Sequence, residues 1–398
     1  MRERGRAVAI TGCILGNVVD GYGVVAVAFI GKAIERVWHL DPAMLGLVFA
    51  AGPAGMMIGS LVISPFADRL GRRKVALASL LLVAISMFCA ALAGNVWQLL
   101  AALAVTGLGI GGVLATLNTV VAEIAPPERR NMVMAIFSSG YPLGSTLAGG
   151  FAIGLMAKFG WPVVFVIGGT LATLVFFFNL FSLPEPPRGA LPARGDDDTS
   201  WRPFGPKQRA ATVAICLAFF LNMISFYFIL LWTTRLTIAI GVPENVGATA
   251  MTIVNLASLV GPFLFGALAD RFGLIRVAGL YFVGFGGAIA LFAGATTDLW
   301  VIYMIAALIG LLMAGAMTSL YASTPLIFPA KVRAAGTGLA IGIGRLGATV
   351  GPMLAGLALQ IGIGRPGLYL LFAIPPILVA ILLMSGRIAP ATTINKEI

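Results

Sequence analysis

Twelve apolar runs, most of them about 20 residues long, follow one another along this 398-residue chain. A run of that length crosses the hydrocarbon core of a bilayer as a helix, which satisfies its own backbone hydrogen bonds where no water can. The runs fall at about 8–31, 44–66, 75–93, 97–123, 131–157 and 161–183, and again at about 210–233, 246–268, 275–294, 299–325, 336–360 and 365–386. The short alternating strands of a membrane barrel do not occur. With 59% hydrophobic and 10% charged residues and a mean hydropathy of +1.00, too little polar surface remains to cover a water-soluble core. The expected fold class is an all-α membrane protein with twelve transmembrane helices.

The runs divide six and six around residues 184–209, PEPPRGALPARGDDDTSWRPFGPKQR, whose proline, glycine and charge mark a linker. This gives an N-terminal half at 8–183, a cytoplasmic linker at 184–209, a C-terminal half at 210–386 and a cytoplasmic tail at 387–398. The halves resemble each other. Ser64-Pro-Phe-Ala-Asp68-Arg69-Leu-Gly71-Arg72-Arg73 returns in degraded form as Gly266-Ala-Leu-Ala-Asp270-Arg271-Phe-Gly273, 202 residues later from Asp68 to Asp270. Ala125-Pro-Pro-Glu-Arg129-Arg130 likewise corresponds to Phe328-Pro-Ala-Lys-Val-Arg333. Repeats at half the chain length predict two pseudo-symmetric six-helix halves packed face to face, an architecture that moves solutes.

The formal charge of +11 does not form the basic stripe with interleaved aromatics that nucleic acid requires. It reports topology. With the N-terminus inside, 20 of the 26 Lys and Arg residues fall on one side, against Lys32, Arg36, Lys158, Arg235 and Arg365 on the other, with Arg345 inside a helix. Both termini are therefore expected to be cytoplasmic, in the inner membrane of a bacterium. The stretch after Arg2, Arg4 and Arg6 is too long for a cleaved signal peptide and contains Asp20, so it reads as a retained first helix. Cys13, Cys89 and Cys216 lie inside apolar runs, where packing rather than disulfide formation is expected.

Charges inside the apolar runs are the candidates for chemistry. Asp20 lies near the middle of helix 1, where an ionised carboxylate costs several kcal/mol or more unless paired, which suits a group that takes up and releases a proton. Arg345, near the middle of helix 11, cannot shed its charge and needs an anion: Asp20, a substrate carboxylate, or each in turn. Tyr22, Asn118, Tyr141, Asn222, Tyr227, Trp232, Asn255 and Tyr321 offer hydrogen bonds and aromatic faces to a planar substrate, or else pack and bond between helices. Arg235 stands where it can draw anions to an entrance or snorkel at the interface. His39 beside Asp41 reads as a solvated loop residue. In the repeated hairpin, Asp68 suits a helix N-terminus and Arg72 and Arg73 suit pairing with carboxylates. Asp68, Arg69, Gly71, Arg72, Arg73, Asp270 and Arg271 are thus candidates for a conformational latch, the alternative being that the cations only enforce topology. No HExxH, GxSxG or GxxxxGK[ST] occurs, so neither an enzyme nor an ATP-driven motor is expected. The run Gly107-Leu-Gly-Ile-Gly-Gly112 lies inside a helix and suits close packing rather than phosphate binding.

The Asp-Arg-x-Gly-Arg-Arg string resembles the signature loop between helices 2 and 3 of the major facilitator superfamily. Within it the chain is most similar to the aromatic acid:proton symporters. The residues that carry this similarity are Asp20-Gly-Tyr, Thr106-Gly-Leu-Gly-Ile-Gly-Gly112, Gly140-Tyr-Pro-Leu-Gly144, Leu231-Trp-Thr-Thr-Arg235, Ser319-Leu-Tyr321 and Gly342-Ile-Gly-Arg345-Leu-Gly347. Two positions depart from the family pattern: Gly23 stands where it has a second helix-1 carboxylate, and Leu103 where it usually has an arginine. The resemblance implies proton-coupled uptake of an aromatic or related carboxylate, Asp20 carrying the proton and Arg345 the substrate, while the two departures bear on specificity and stoichiometry. The implied partners are a small-molecule carboxylate, protons and the lipid bilayer, with no nucleic acid and no cofactor, and the chain is expected to act as a monomer. One net positive charge moved across 100 mV is worth about 2.3 kcal/mol, or roughly a 50-fold gradient. The rivals are a drug or metabolite exporter, a sugar porter suggested by Pro184-Glu-Pro-Pro-Arg188, and a non-transporting receptor on a transporter fold. Helix 5 reads Gly144-Ser-Thr-Leu-Ala-Gly-Gly150, without the exporters' proline, and helix 7 lacks paired glutamines for sugar hydroxyls.

Overall fold

The computed structural model describes residues 3–63, 66–67, 70–126, 129–184, 209–295, 297–328 and 333–385. They form α1 (Glu3–Trp38), α2 (Pro42–Val62), α3 (Arg72–Ala91), α4 (Val96–Ile124), α5 (Arg130–Phe159) and α6 (Pro162–Ser182). Then follow α7 (Arg209–Ile238), α8 (Glu244–Phe272), α9 (Leu274–Ala293), α10 (Leu299–Ile327), α11 (Arg333–Gln360) and α12 (Arg365–Met384). Among the described residues there is no strand, and 11 of these helices are long and apolar enough to span a membrane. The exception, α5, carries Ser138, Ser139, Tyr141, Ser145 and Thr146, which lower its hydropathy. The linker between its end residues, the tail at 387–398, and Ser64, Asp68 and Arg69 of the hairpin lie outside the described residues.

Local chemistry sets the helix starts. Asp41, ahead of Pro42, accepts from Met44 N at 2.7 Å; Asn95 accepts from Gln98 N at 3.0 Å; Asp298 accepts from Trp300 N at 2.9 Å. Each satisfies an amide that a helix start leaves unpaired. The repeated hairpins turn alike: Gly71 between α2 and α3 has φ 97° and ψ 136°, and Gly273 between α8 and α9 has φ 90° and ψ 136°. Only glycine takes that conformation without strain, which explains why this residue survives in the degraded copy.

The six-helix halves repeat one packing scheme. In the first, α2 packs on α4, α1 on α5 and α3 on α6; in the second, α8 packs on α10, α7 on α11 and α9 on α12. Glycine lets backbones approach, as expected of the α4 run. A Cβ on Gly107 would collide with the Gly52 carbonyl of α2, and one on Gly310 with the Val254 carbonyl of α8. The halves meet where α2 lies against α11, α5 against α8 and α1 against α7. The three cysteines are free thiols.

Candidate functional site

Two close helix pairs frame the centre of the molecule. Gly21 and Gly144 let α1 and α5 touch, since a Cβ on either would strike the partner's backbone. Ser145 Oγ then donates to the Gly21 carbonyl at 3.0 Å and Asn17 Nδ2 to the Phe137 carbonyl at 2.6 Å. This sets Tyr141 of α5 beside Asp20 of α1. In the other half Gly347 and Gly351 lie against the α7 backbone, which brings Arg345 to Tyr227.

Asp20 is 1% exposed, and its Oδ1 has no hydrogen-bond partner. Arg345 approaches from the opposite half and interacts electrostatically with Asp20, Tyr141, Tyr227 and Tyr321, with Tyr227 in side-chain hydrogen-bond range. No carboxylate lies within ion-pair distance of its guanidinium among the described residues. Its Nη1 instead donates to Met56 Sδ of α2 at 3.7 Å, a weak thioether acceptor. The Tyr141 hydroxyl is also buried without a partner, so unused polar atoms of Asp20 and Tyr141 gather near one half-buried cation, and Asn222 Oδ1 is a further buried atom without a partner. Tyr321, 44% exposed, meets Phe219 edge-on at 5.5 Å, and Tyr227 lies against Phe226 at 5.8 Å. Such a site suits a planar anion with a polar edge.

The other candidates sit differently. The Tyr22 hydroxyl donates to the Val164 carbonyl of α6 at 2.7 Å, and Trp232 Nε1 to the Pro352 carbonyl of α11 at 3.1 Å, so both polar groups are committed to the scaffold. Asn255 Nδ2 donates to the Met251 carbonyl of its own helix at 3.0 Å, Asn222 Nδ2 lies 3.3 Å from Met317 Sδ, and Asn118 is exposed on α4. In the hairpin, Arg72 pairs with Glu123 of α4, and Arg73 Nη2 donates to the Leu180 carbonyl of α6 at 2.6 Å. These ties lie within the first half. In the second copy Asp270 and Arg271 are exposed, Arg271 stacking over Phe272 at 5.2 Å. His39 is exposed at the end of α1.

The ion pairs between the halves among the described residues lie at the end of the molecule opposite the termini. Arg235 is neither an open entrance charge nor a snorkelling one. Its Nε and Nη2 bind both oxygens of Glu35 on α1 at 2.9 and 2.8 Å, Lys32 adds a contact to Glu35 at 3.7 Å, and Arg36 pairs with Glu244 at 2.6 Å. Beneath them Trp232 meets Phe49 edge-on at 5.1 Å, and Gly46 of α2 lies against Gly356 of α11. Sequence reasoning missed Glu35 and Met56. The spacing of Glu35, one turn after Lys32 and next to Arg36, hinted at it, whereas nothing distinguished Met56 from the other methionines.

A family model described as Major Facilitator Superfamily matches residues 13–240 and 215–397. The chain belongs to the major facilitator superfamily. The gallate transporter of Pseudomonas putida is 29% identical over 424 residues, covering 96% of this chain and 93% of its own length. The 3-(3-hydroxy-phenyl)propionate transporter of Escherichia coli (strain K12) is 29% identical over 392 residues, covering 94% and 93%. Among solved structures, the inward open xylose transporter XylE from E. coli superposes with a TM-score of 0.78 at 17% identity, covering 94% of this chain and 95% of its own. This member of the superfamily is a multi-pass integral membrane protein with the transporter fold.

Proposed function

We propose that this protein is a secondary transporter that takes up a small aromatic or related carboxylate together with a proton by alternating access between residues 8–183 and 210–386. The observation that carries the reading is Arg345: a cation held between the halves with a thioether in place of an anion, beside a carboxylate whose Oδ1 is unpartnered. The substrate carboxylate binds the guanidinium, where two parallel charge-assisted hydrogen bonds replace one weak contact. Tyr141, Tyr227 and Tyr321 take the ring and its polar substituents.

Proton coupling follows from charge. An anion on Arg345 and an ionised Asp20 are like charges; at a separation of about 6 Å and an effective dielectric constant of about 20 they repel by roughly 3 kcal/mol. A proton on Asp20 removes that repulsion, so substrate and proton bind about 100-fold better together than apart. The seal of Glu35, Arg235, Phe49 and Trp232 closes the outer side, while Arg72 and Arg73 reach Glu123 and the Leu180 carbonyl of the first half. The two aromatic acid transporters similar to this chain support a carboxylate substrate.

Proteoliposomes carrying the wild-type protein are expected to accumulate radiolabelled gallate, benzoate or 3-(3-hydroxyphenyl)propionate under an inward proton gradient, and Arg345→Ala to bind none of them. Accumulation by Arg345→Ala, or wild-type uptake of neutral sugars in preference to these acids, would sink the reading.

A further inference from the structure

We propose that Met56 is a displaceable occupant of the anion site: its thioether holds Arg345 until a substrate carboxylate takes the guanidinium, and then retracts into a cavity beside Gly23. This rests on the carboxylate reading above. Met56, 2% exposed, faces two ways from α2. Its Sδ accepts from Arg345 Nη1 at 3.7 Å, and the residue also lines a small cavity between α1, α2 and α4, walled by Gly23, Val24, Leu103, Thr106 and Ile110.

The cavity has room for about one water-sized sphere, far too little for a ring and about the size of the single methyl group that a change of the Met56 rotamer would place there. Its chemistry fits the same occupant. The Thr106 hydroxyl is already committed, to Ser86 Oγ at 2.8 Å and the Ala102 carbonyl at 2.9 Å, and the other walls are apolar. A polar substrate group would be left unpaired there, whereas a thioether methyl would not. Methionine is unbranched and polarisable, so it can hold either position at small cost.

Gly23 keeps the space open. A Cβ at that position would lie 2.8 Å from Ile110 Cδ1 and 3.4 Å from Met87 Cε, forcing Ile110, a wall of the cavity, to move. Leu103 closes the same cavity from α4. The glycine and the leucine thereby control how far Met56 can withdraw, and through it how well Arg345 receives an anion.

The test is a mutant cycle on the full chain in lipid nanodiscs, with Kd measured by calorimetry for benzoate, gallate and 3-(3-hydroxyphenyl)propionate. Gly23→Ala and, from the opposite wall, Leu103→Phe are expected to weaken binding roughly tenfold by trapping the thioether on Arg345. Met56→Ala, which removes the competing acceptor, is expected to bind several-fold more tightly than wild type. In that background Gly23→Ala should cost almost nothing, because there is no thioether left to trap. Melting temperatures confirm folding, and two fillers on different helices keep the cycle readable if one misfolds. Fillers that weaken binding equally with and without the Met56 side chain, or folded fillers that leave Kd unchanged, overturn the proposal. A folded wild type that binds none of the three acids overturns the carboxylate reading and this inference with it.

Discussion

Replacing Glu35 by glutamine is expected to open the outer side of the protein. The Glu35–Arg235 pair makes two charge-assisted hydrogen bonds of 2.9 and 2.8 Å, and its side chains are 20% and 13% exposed. That environment lies between exposed pairs, worth about 0.2–1 kcal/mol, and fully buried pairs, whose disruption costs about 3–5 kcal/mol, so about 2 kcal/mol is expected. Because the partners sit on different halves, that free energy belongs to the outer-closed state alone, and its loss shifts the closed-to-open ratio roughly 30-fold. Arg36→Gln is the control: its pair with Glu244 is 63% and 55% exposed and should shift the ratio less than about threefold. Spin labels at Val37→Cys and Asn245→Cys, both exposed at this end, report the separation in a background whose native cysteines are replaced by alanine. Glu35→Gln should show a second, longer distance, and the reversed pair Glu35→Arg with Arg235→Glu should suppress it. An unchanged distance distribution in Glu35→Gln would refute the latch.

Asp20→Asn is expected to abolish accumulation driven by a proton gradient while exchange of internal for external substrate continues, measured as counterflow in preloaded proteoliposomes. Gly144→Ala should misfold or lose about 2–3 kcal/mol of stability, because its Cβ would strike the Val18 carbonyl where α1 and α5 touch. Gly150→Ala, on the same helix with open space around its Cβ, should melt as wild type does; thermal unfolding followed by intrinsic fluorescence separates the two.

The spans were legible because apolar length is what a bilayer selects. Their ends were less so. The first apolar run ends at about 31, yet α1 continues to Trp38, and the seventh ends at about 233, yet α7 continues to Ile238. Hydropathy stops at Lys32, Glu35 and Arg235, but Glu35 pairs with Lys32 along α1 and with Arg235 across the halves, which keeps both helices going beyond the apolar stretch. At the site, Asp20 and Arg345 stood out as charges in apolar surroundings. The aromatic candidates did not sort themselves, because one sequence does not say which neighbour a buried hydroxyl faces: Tyr141, Tyr227 and Tyr321 turn to Arg345, whereas Tyr22 turns to α6. The partner of Arg345 was invisible, since a methionine in an apolar run carries no signal of its own.

The most direct test of the coupling asks what drives accumulation. With Gly23 where the resemblance places a second acid, Asp20 offers one proton for one carboxylate, so transport of a monovalent acid should carry no net charge. Proteoliposomes with the pH gradient and the membrane potential set independently decide this. Accumulation of benzoate should rise about tenfold per unit of pH gradient, ignore an imposed potential, and vanish in Asp20→Asn. Uptake driven by the potential alone, or pH-driven uptake that survives Asp20→Asn, would contradict the account.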